Sequence, residues 1–400
     1  MNSKFLGGVL LIIGTTIGAG ILALPIATAE LGFIGSTILL ITIWAIMLAC
    51  GFLFLEVNLW LPANSNLISM AGATLGKPGQ LLTWGVYLLL LYSILSAYIA
   101  GGGDLFQYLL STVNIHISIS AASIIVTFLL SLVVCFGIRS VDYVNRGLMM
   151  GKLGVLVLLV ILIAPFVSGD NVLRGEMTHI TSPNSISIVT LAFSSLMIIP
   201  SLRGYFDNNV ALLRKAIFIG MTVPLVCYIA WDMVILGVIP LEGTPGLKQM
   251  VNSPNSTSDL IIALSTLLKQ DVINILAKFF TSVCMATSFL SVSLSLSDFL
   301  SDGLKMPKKG KTGVVVFAAT FLPPIAVVLF YPDAFMRGLS YAGVCCFILM
   351  ILLPPLMVWR GRYHRALLDV YYQVRGGKPL LAFLLLFATL MIGFGVRTTI

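Results

Sequence analysis

The chain has 400 residues, of which 58% are hydrophobic and only 10% charged. A soluble domain carries about 25% charged residues, so a water-soluble globule is excluded, and the apolar residues come in runs long enough to cross roughly 30 Å of hydrocarbon. The net charge of +8 does not call for a nucleic-acid partner, because Lys and Arg collect in the cytoplasmic loops of membrane proteins.

Taken in chain order, the predicted spans cover 5–28, 33–60, 80–110, 118–138, 147–168, 186–206, 212–239, 274–301, 313–331, 334–358 and 379–397. This is the pattern of an all-α polytopic membrane protein with about 11 transmembrane helices in a single domain over 1–400. The first run follows Lys4 and ends near Ala27-Thr28-Ala29, which mimics a signal cleavage site. It is long for a signal peptide and is interrupted by glycines, so it reads as a retained span. With the N-terminus cytoplasmic, 17 of the 23 Lys and Arg residues fall on the inside and 6 on the outside, which supports that orientation and places the C-terminus outside. Cys50, Cys135, Cys227, Cys284, Cys345 and Cys346 lie in apolar segments without metal-ligand spacing, so neither a disulfide nor a metal is expected. In the long external segment 240–273, Ser258-Asp259 and the apolar series through Leu268 predict a short capped helix, either an outer lid or a surface connector.

Two spans carry breaks. The first contains Gly14-Thr15-Thr16-Ile17-Gly18-Ala19-Gly20 and then Pro25. Glycines in mid-span free backbone groups, and in lipid an unwound segment survives only beside a cavity or a ligand. Gly18-x-Gly20-x-x-Ala23 also matches a dinucleotide fingerprint, but no strand precedes it. The sixth span reads Phe193-Ser194-Ser195-Leu196-Met197-Ile198-Ile199-Pro200, with its proline seven residues after Phe193, as Pro25 is seven after Gly18. Interrupted spans at corresponding positions point to a 5+5 inverted repeat with a mid-membrane site. The repeats would run about 5–168 and 186–358, with 379–397 as a peripheral helix. The amides of Gly18, Ala19 and Gly20 suit a carboxylate. Carbonyls around Ile13 to Thr15 and near Phe193 suit an ammonium. Thr15, Thr16, Gly18, Ala19, Gly20, Phe193, Ser194 and Ser195 are therefore the candidate substrate residues, and a zwitterionic amino acid fits two facing breaks. Tyr92, Tyr98, Phe289 and Tyr341 are candidate aromatic walls, although most aromatics in such a chain pack or face lipid.

These residues resemble the hydroxy/aromatic amino acid permease family of the amino acid–polyamine–organocation superfamily. The matching stretches are Gly14 to Pro25, Leu55 to Asn58, Leu95 to Gly103, Ile199 to Leu202, and Thr287 to Leu290 through Asp298 to Gly303. The resemblance implies the leucine-transporter-type fold with helices 1 and 6 broken, and proton-coupled import of a free aromatic amino acid, tyrosine ahead of tryptophan or phenylalanine, across a bacterial inner membrane by a monomer, without a cofactor. One stretch departs from the family pattern. The sixth-span break in the family reads Ser-Phe-Gly-Phe-His-Gly, whereas Ala192 to Met197 keeps Phe193, puts Leu196 at the histidine position and has no glycine. Either the pocket has another shape or the cargo differs.

The intramembrane ionisable residues are Glu56, Asp104, Lys152, Asp232 and, near a span end, Asp298, all functional suspects. In related proton-linked or sodium-independent transporters, a lysine in the region of Lys152 takes the place of a sodium between spans one and eight, and burial would let it exchange a proton. A snorkelling interfacial lysine is the alternative. Ser288, Ser291 and Ser295 share a face of span eight, where hydroxyls ligate the ion in sodium-coupled relatives. H+ is favoured over Na+ as the coupling ion. Glu56 and Asn58 read as gating or structural contacts. The rival readings are the same fold carrying serine or threonine, a channel, and a membrane enzyme. No paired carboxylates and no intramembrane histidine support the last.

Overall fold

The computed structural model describes residues 3–399 apart from 64, 136–137, 252, 309, 332 and 365–371, and it leaves aside the side chains of 3, 135, 138–146, 150, 177 and 396–399. Arg139, Arg146, Lys309, Arg365 and Arg397, which entered the orientation count, and Cys135 therefore lie outside the described residues and side chains.

Long apolar runs in lipid must satisfy their backbone groups internally, which a helix does within one segment. Among the described residues the chain is accordingly helical, with no strand. In order the helices are α1 (Ser3–Thr16), α2 (Gly20–Ala27), α3 (Gly32–Leu59), α4 (Leu67–Leu75), α5 (Lys77–Ser111), α6 (Ile119–Cys135), α7 (Ile138–Ile163), α8 (Gly169–Leu173), α9 (Pro183–Ala192), α10 (Ile199–Tyr205), α11 (Val210–Val238), α12 (Leu247–Met250), α13 (Ser256–Leu268), α14 (Asp271–Leu304), α15 (Gly310–Phe330), α16 (Ala334–Cys346), α17 (Leu353–Tyr363) and α18 (Gly377–Thr399). A π-helical stretch, Phe347–Leu352, joins α16 to α17. Seven of these helices, with the continuous stretches α9 to α10 and α16 to α17, make nine spans among the described residues that are long and apolar enough to cross a membrane, or ten when α1 and α2 are taken as one bent span. The predicted fourth span contains α6, an apolar helix whose 17 described residues fall short of that length, so among the described residues nine or ten spans stand against the expected eleven. The predicted external helix is α13, which starts at Ser256 rather than Ser258.

Close helix contacts place the breaks at the centre. Helix α2 is buried from Ile21 through Ala27 and packs on α9 and α11, while α14 lies against α5 and α7. Small residues allow such approaches. A Cβ on Gly14 would overlap the Met149 sulfur of α7, and one on Gly343 of α16 would overlap Ser187 O of α9. Helix α18 is the least buried of the candidate spans, at 17% against 72% for the span formed by α9 and α10. That difference puts it at the periphery. The end of the bundle that holds the start of α1 is its N-terminal face.

Candidate substrate and coupling site

The first span stops at Thr16 and restarts at Gly20, with the two axes bent by 53°. The ladder fails because the Gly18 N–H turns to Thr16 O, two residues back, at 3.0 Å. The threonine hydroxyls do not reach into the gap. Thr15 Oγ1 bonds Ile12 O at 2.9 Å and Thr16 Oγ1 bonds Ile12 O at 2.7 Å, the usual back-bonding of hydroxyls on a helix. The groups freed at the break find partners on other helices. The Ala19 N–H donates to Ser288 Oγ of α14 at 2.8 Å. Lys152 of α7 donates from Nζ to Ile17 O at 2.6 Å and has Thr287 Oγ1 at 3.5 Å. Tyr228 of α11 donates from its hydroxyl towards Thr16 O at 2.8 Å.

The second break lies opposite. Helix α9 ends at Ala192, a tight turn covers Leu196–Ile198, and α10 begins at Ile199. Pro200 sits in the first turn of α10, where a missing N–H costs nothing. Ser195 N–H bonds Phe193 O at 2.8 Å, and Ala192 O faces the Tyr228 hydroxyl at 2.9 Å. A Cβ on Gly20 would lie 3.9 Å from the Ala192 Cα, so the two breaks face each other at van der Waals distance. Phe193 is wholly buried, its ring set edge-to-face on Tyr228 with centroids 5.4 Å apart.

The structure thus gathers Thr16, Gly18, Ala19, Gly20, Phe193, Lys152, Tyr98 and Ser288 around the two breaks. A Cβ on Gly18 would meet Ser288 Oγ at 2.9 Å and the Tyr98 hydroxyl at 3.8 Å, so both side chains lie against the first break. Other predicted residues sit differently. Thr15 is exposed. Phe289 stacks on Phe321 of α15, centroids 5.9 Å apart, and Tyr92 bonds Ala319 O at 2.7 Å. Tyr341 is 42% exposed. Ser291 Oγ bonds back to Thr287 O at 2.8 Å. Ser194 lies part-buried at the break, and Ser195 is buried. Lys152 is 2% exposed. Helix α7 begins at Ile138, well before the predicted span, so this lysine lies in mid-helix and turns its ammonium inward rather than snorkelling.

Sequence reasoning missed Tyr228 and Thr287 at the breaks, and it missed the partners of the acidic residues. Glu56 forms a two-pronged pair with Arg362, Oε1 to Nε at 2.7 Å and Oε2 to Nη2 at 2.5 Å, and also accepts from Val374 N–H at 2.8 Å. Asn58 and the end of α3 are clasped by Arg203 of α10, whose Nη1 reaches Asn58 O at 2.5 Å and Leu61 O at 2.8 Å. Beside this cluster, burial pushes the Tyr372 phenol up to about 12 against the pull of Arg214. Asp232 holds the ends of α2 and α3 through Thr28, at 3.3 Å, and Ser36. Asp104 accepts from Ser258 N–H at 2.8 Å and from Ser258 Oγ at 2.5 Å, so it caps the start of α13. Asp298 pairs with Lys308 at 2.5 Å and is 53% exposed; it belongs to the N-terminal face, not to the membrane interior. A cavity of about 680 Å³ opens there, with Tyr87, Met197, Pro200, Ser201, Ser295 and Phe299 among its walls.

A bent first span, a facing second break and an inward lysine describe a transporter core, and the comparison with known proteins agrees. The model of the tryptophan/tyrosine permease family matches residues 1–394. The chain belongs to that family. This permease chain is 32% identical over 395 residues to the tyrosine-specific transport system 2 of Haemophilus influenzae, covering 96% of the chain and 94% of the relative. It is 30% identical over 405 residues to a tryptophan-specific transport protein of the same organism, covering 98% and 95%. It is also 31% identical over 401 residues to glutamine transporter 2 of Aliivibrio fischeri, covering 98% and 99%.

Proposed function

We propose that this permease imports an aromatic amino acid, tyrosine foremost and tryptophan or phenylalanine as further cargoes, by proton symport with alternating access. In this reading it is a monomer in a bacterial inner membrane, N-terminus cytoplasmic and C-terminus periplasmic, with spans one to five and six to ten as inverted repeats. Family membership and the tyrosine- and tryptophan-specific relatives support the cargo. In this reading the substrate carboxylate takes the amides of Gly18 to Gly20, displacing the contacts that Gly18 N–H makes with Thr16 O and Ala19 N–H with Ser288 Oγ. Its ammonium lies at the carbonyls of the two breaks, and its ring towards Phe193 and Tyr98.

The observation that carries the coupling is the Lys152 ammonium on Ile17 O. Protonated, it brings a charge and three donors to a break that is short of them. On losing its proton it becomes a neutral amine with one donor fewer, and its hold on Ile17 and Thr287 weakens. The proton thereby links Lys152 to the shape of the first break. One charge moving through 100 mV contributes about 2.3 kcal/mol, enough for accumulation. A second reading, a smaller neutral cargo, draws on the glutamine transporter relative and on the stretch Ser194 to Met197, which lacks the family's glycines.

The test is uptake of labelled tyrosine into proteoliposomes under an imposed inward proton gradient, with unlabelled tryptophan, phenylalanine, glutamine and serine as competitors. Accumulation that an uncoupler abolishes and only aromatic competitors block is the expected result. Uptake blocked by glutamine or serine would replace the aromatic cargo, and a strict sodium requirement would replace the proton.

A further inference from the structure

Tyr228 reaches both breaks at once with a single hydroxyl. That oxygen lies 2.8 Å from Thr16 O, the last carbonyl of α1, and 2.9 Å from Ala192 O, the last carbonyl of α9. The residue is wholly buried, and its ring is fixed edge-to-face on Phe193. Water does not compete for these bonds at such a depth, and an unmet carbonyl there is costly. The two carbonyls are 176 residues apart in sequence and belong to the two proposed repeats, so no local interaction holds them together.

We propose that Tyr228 is a positioning residue that fastens the two breaks to each other and so sets the width of the substrate site between them. The proposal rests on the reading of the breaks as that site. A phenol has a single hydrogen. It cannot bond both carbonyls fully, so in this structure one proton is shared between two acceptors. A donor arriving at either carbonyl lets the hydroxyl commit to the other. The fastening therefore slackens when a cationic group enters and is restored when it leaves. Ser288 differs in kind, because it reaches only the first break through the Ala19 N–H.

The experiment needs no substrate. Hydrogen exchange is followed by mass spectrometry on the full-length protein in detergent, on peptides spanning the first break (14–22) and the second (190–198). Tyr228→Phe keeps the ring and removes the hydroxyl. The expected result is that both break peptides exchange about tenfold faster, the scale of one buried hydrogen bond, while α13 and α18 stay unchanged. Ser288→Ala should speed the first break alone. Tyr228→Phe affecting one break only, or the whole protein evenly, overturns the proposal. Should Tyr228→Phe not fold, 3-fluorotyrosine at position 228 keeps the shape and strengthens the donor. Slower exchange at both breaks supports the fastening, and no change overturns it. In transport, Tyr228→Phe should raise KM about tenfold with kcat held within about twofold; a loss confined to kcat counts against the proposal. Absence of tyrosine uptake by the unaltered protein would remove the cargo assignment and leave the exchange result standing.

Discussion

A lysine inside a membrane span is costly unless its ammonium finds acceptors. Lys152 has Ile17 O and Thr287 Oγ1, and under the proposed cycle these bonds carry the proton's effect. Lys152→Ala is expected to abolish accumulation driven by a proton gradient while leaving substrate counterflow measurable, both read in the same proteoliposomes; gradient-driven accumulation by the variant would remove Lys152 from coupling. Glu56 makes a contrasting case, because its pairing with Arg362 and Val374 is complete. Breaking a buried pair by removing one partner costs about 3–5 kcal/mol, so Glu56→Ala should lower the melting temperature in detergent strongly, and Glu56→Ala with Arg362→Met should recover part of it. The sequence made Lys152 and Glu56 conspicuous because charge is rare in an apolar run. It could not name Arg362, which read as one more cytoplasmic charge and lies 306 residues from its partner. Tyr228 carried no signal at all: a tyrosine in a span is ordinary until its hydroxyl is seen against two helix ends.

At the scale of elements, the first break was legible because Gly18 and Gly20 weaken the helix locally, and the structure interrupts the span at Ile17 to Ala19. The second was legible mainly through Pro200, since Phe193 to Met197 has no glycine. Residues with one strong local preference announce themselves, whereas packing does not. Gly343 looked like any membrane glycine, yet a Cβ there would run into Ser187 O. Gly343→Val is expected to push α16 from α9 and cost about 1–3 kcal/mol of stability, checked by thermal unfolding, with Gly343→Ala milder.

For the whole molecule, the all-helical membrane architecture followed from composition, since a chain this apolar has few other solutions. The direction in which it is open did not, because hydropathy is blind to cavities. The large cavity opens on the N-terminal face beside Ser201, and on the opposite face Asp104 holds α13 through Ser258. With the N-terminal face cytoplasmic, Ser201→Cys should react with a membrane-impermeant maleimide in inside-out vesicles and resist it in right-side-out ones, with labelling reduced by tyrosine. The reverse pattern would invert the proposed orientation.

The first span is also held unequally at its two ends. Helix α2 is set in the bundle, with Ala27 O taking the Ser185 hydroxyl at 2.6 Å and Thr28 reaching Asp232. The far tip of α1 is tied by Lys4 and Asp207, 2.6 Å apart and both at least half exposed. Dissolved salt weakens an exposed pair and spares a buried one. The span is therefore a lever with one arm anchored and the other moored by a line that electrolyte slackens. Under the proposed alternating access, ionic strength on the N-terminal side is then expected to act as a throttle on how fast that arm swings, separate from how tightly cargo is gripped.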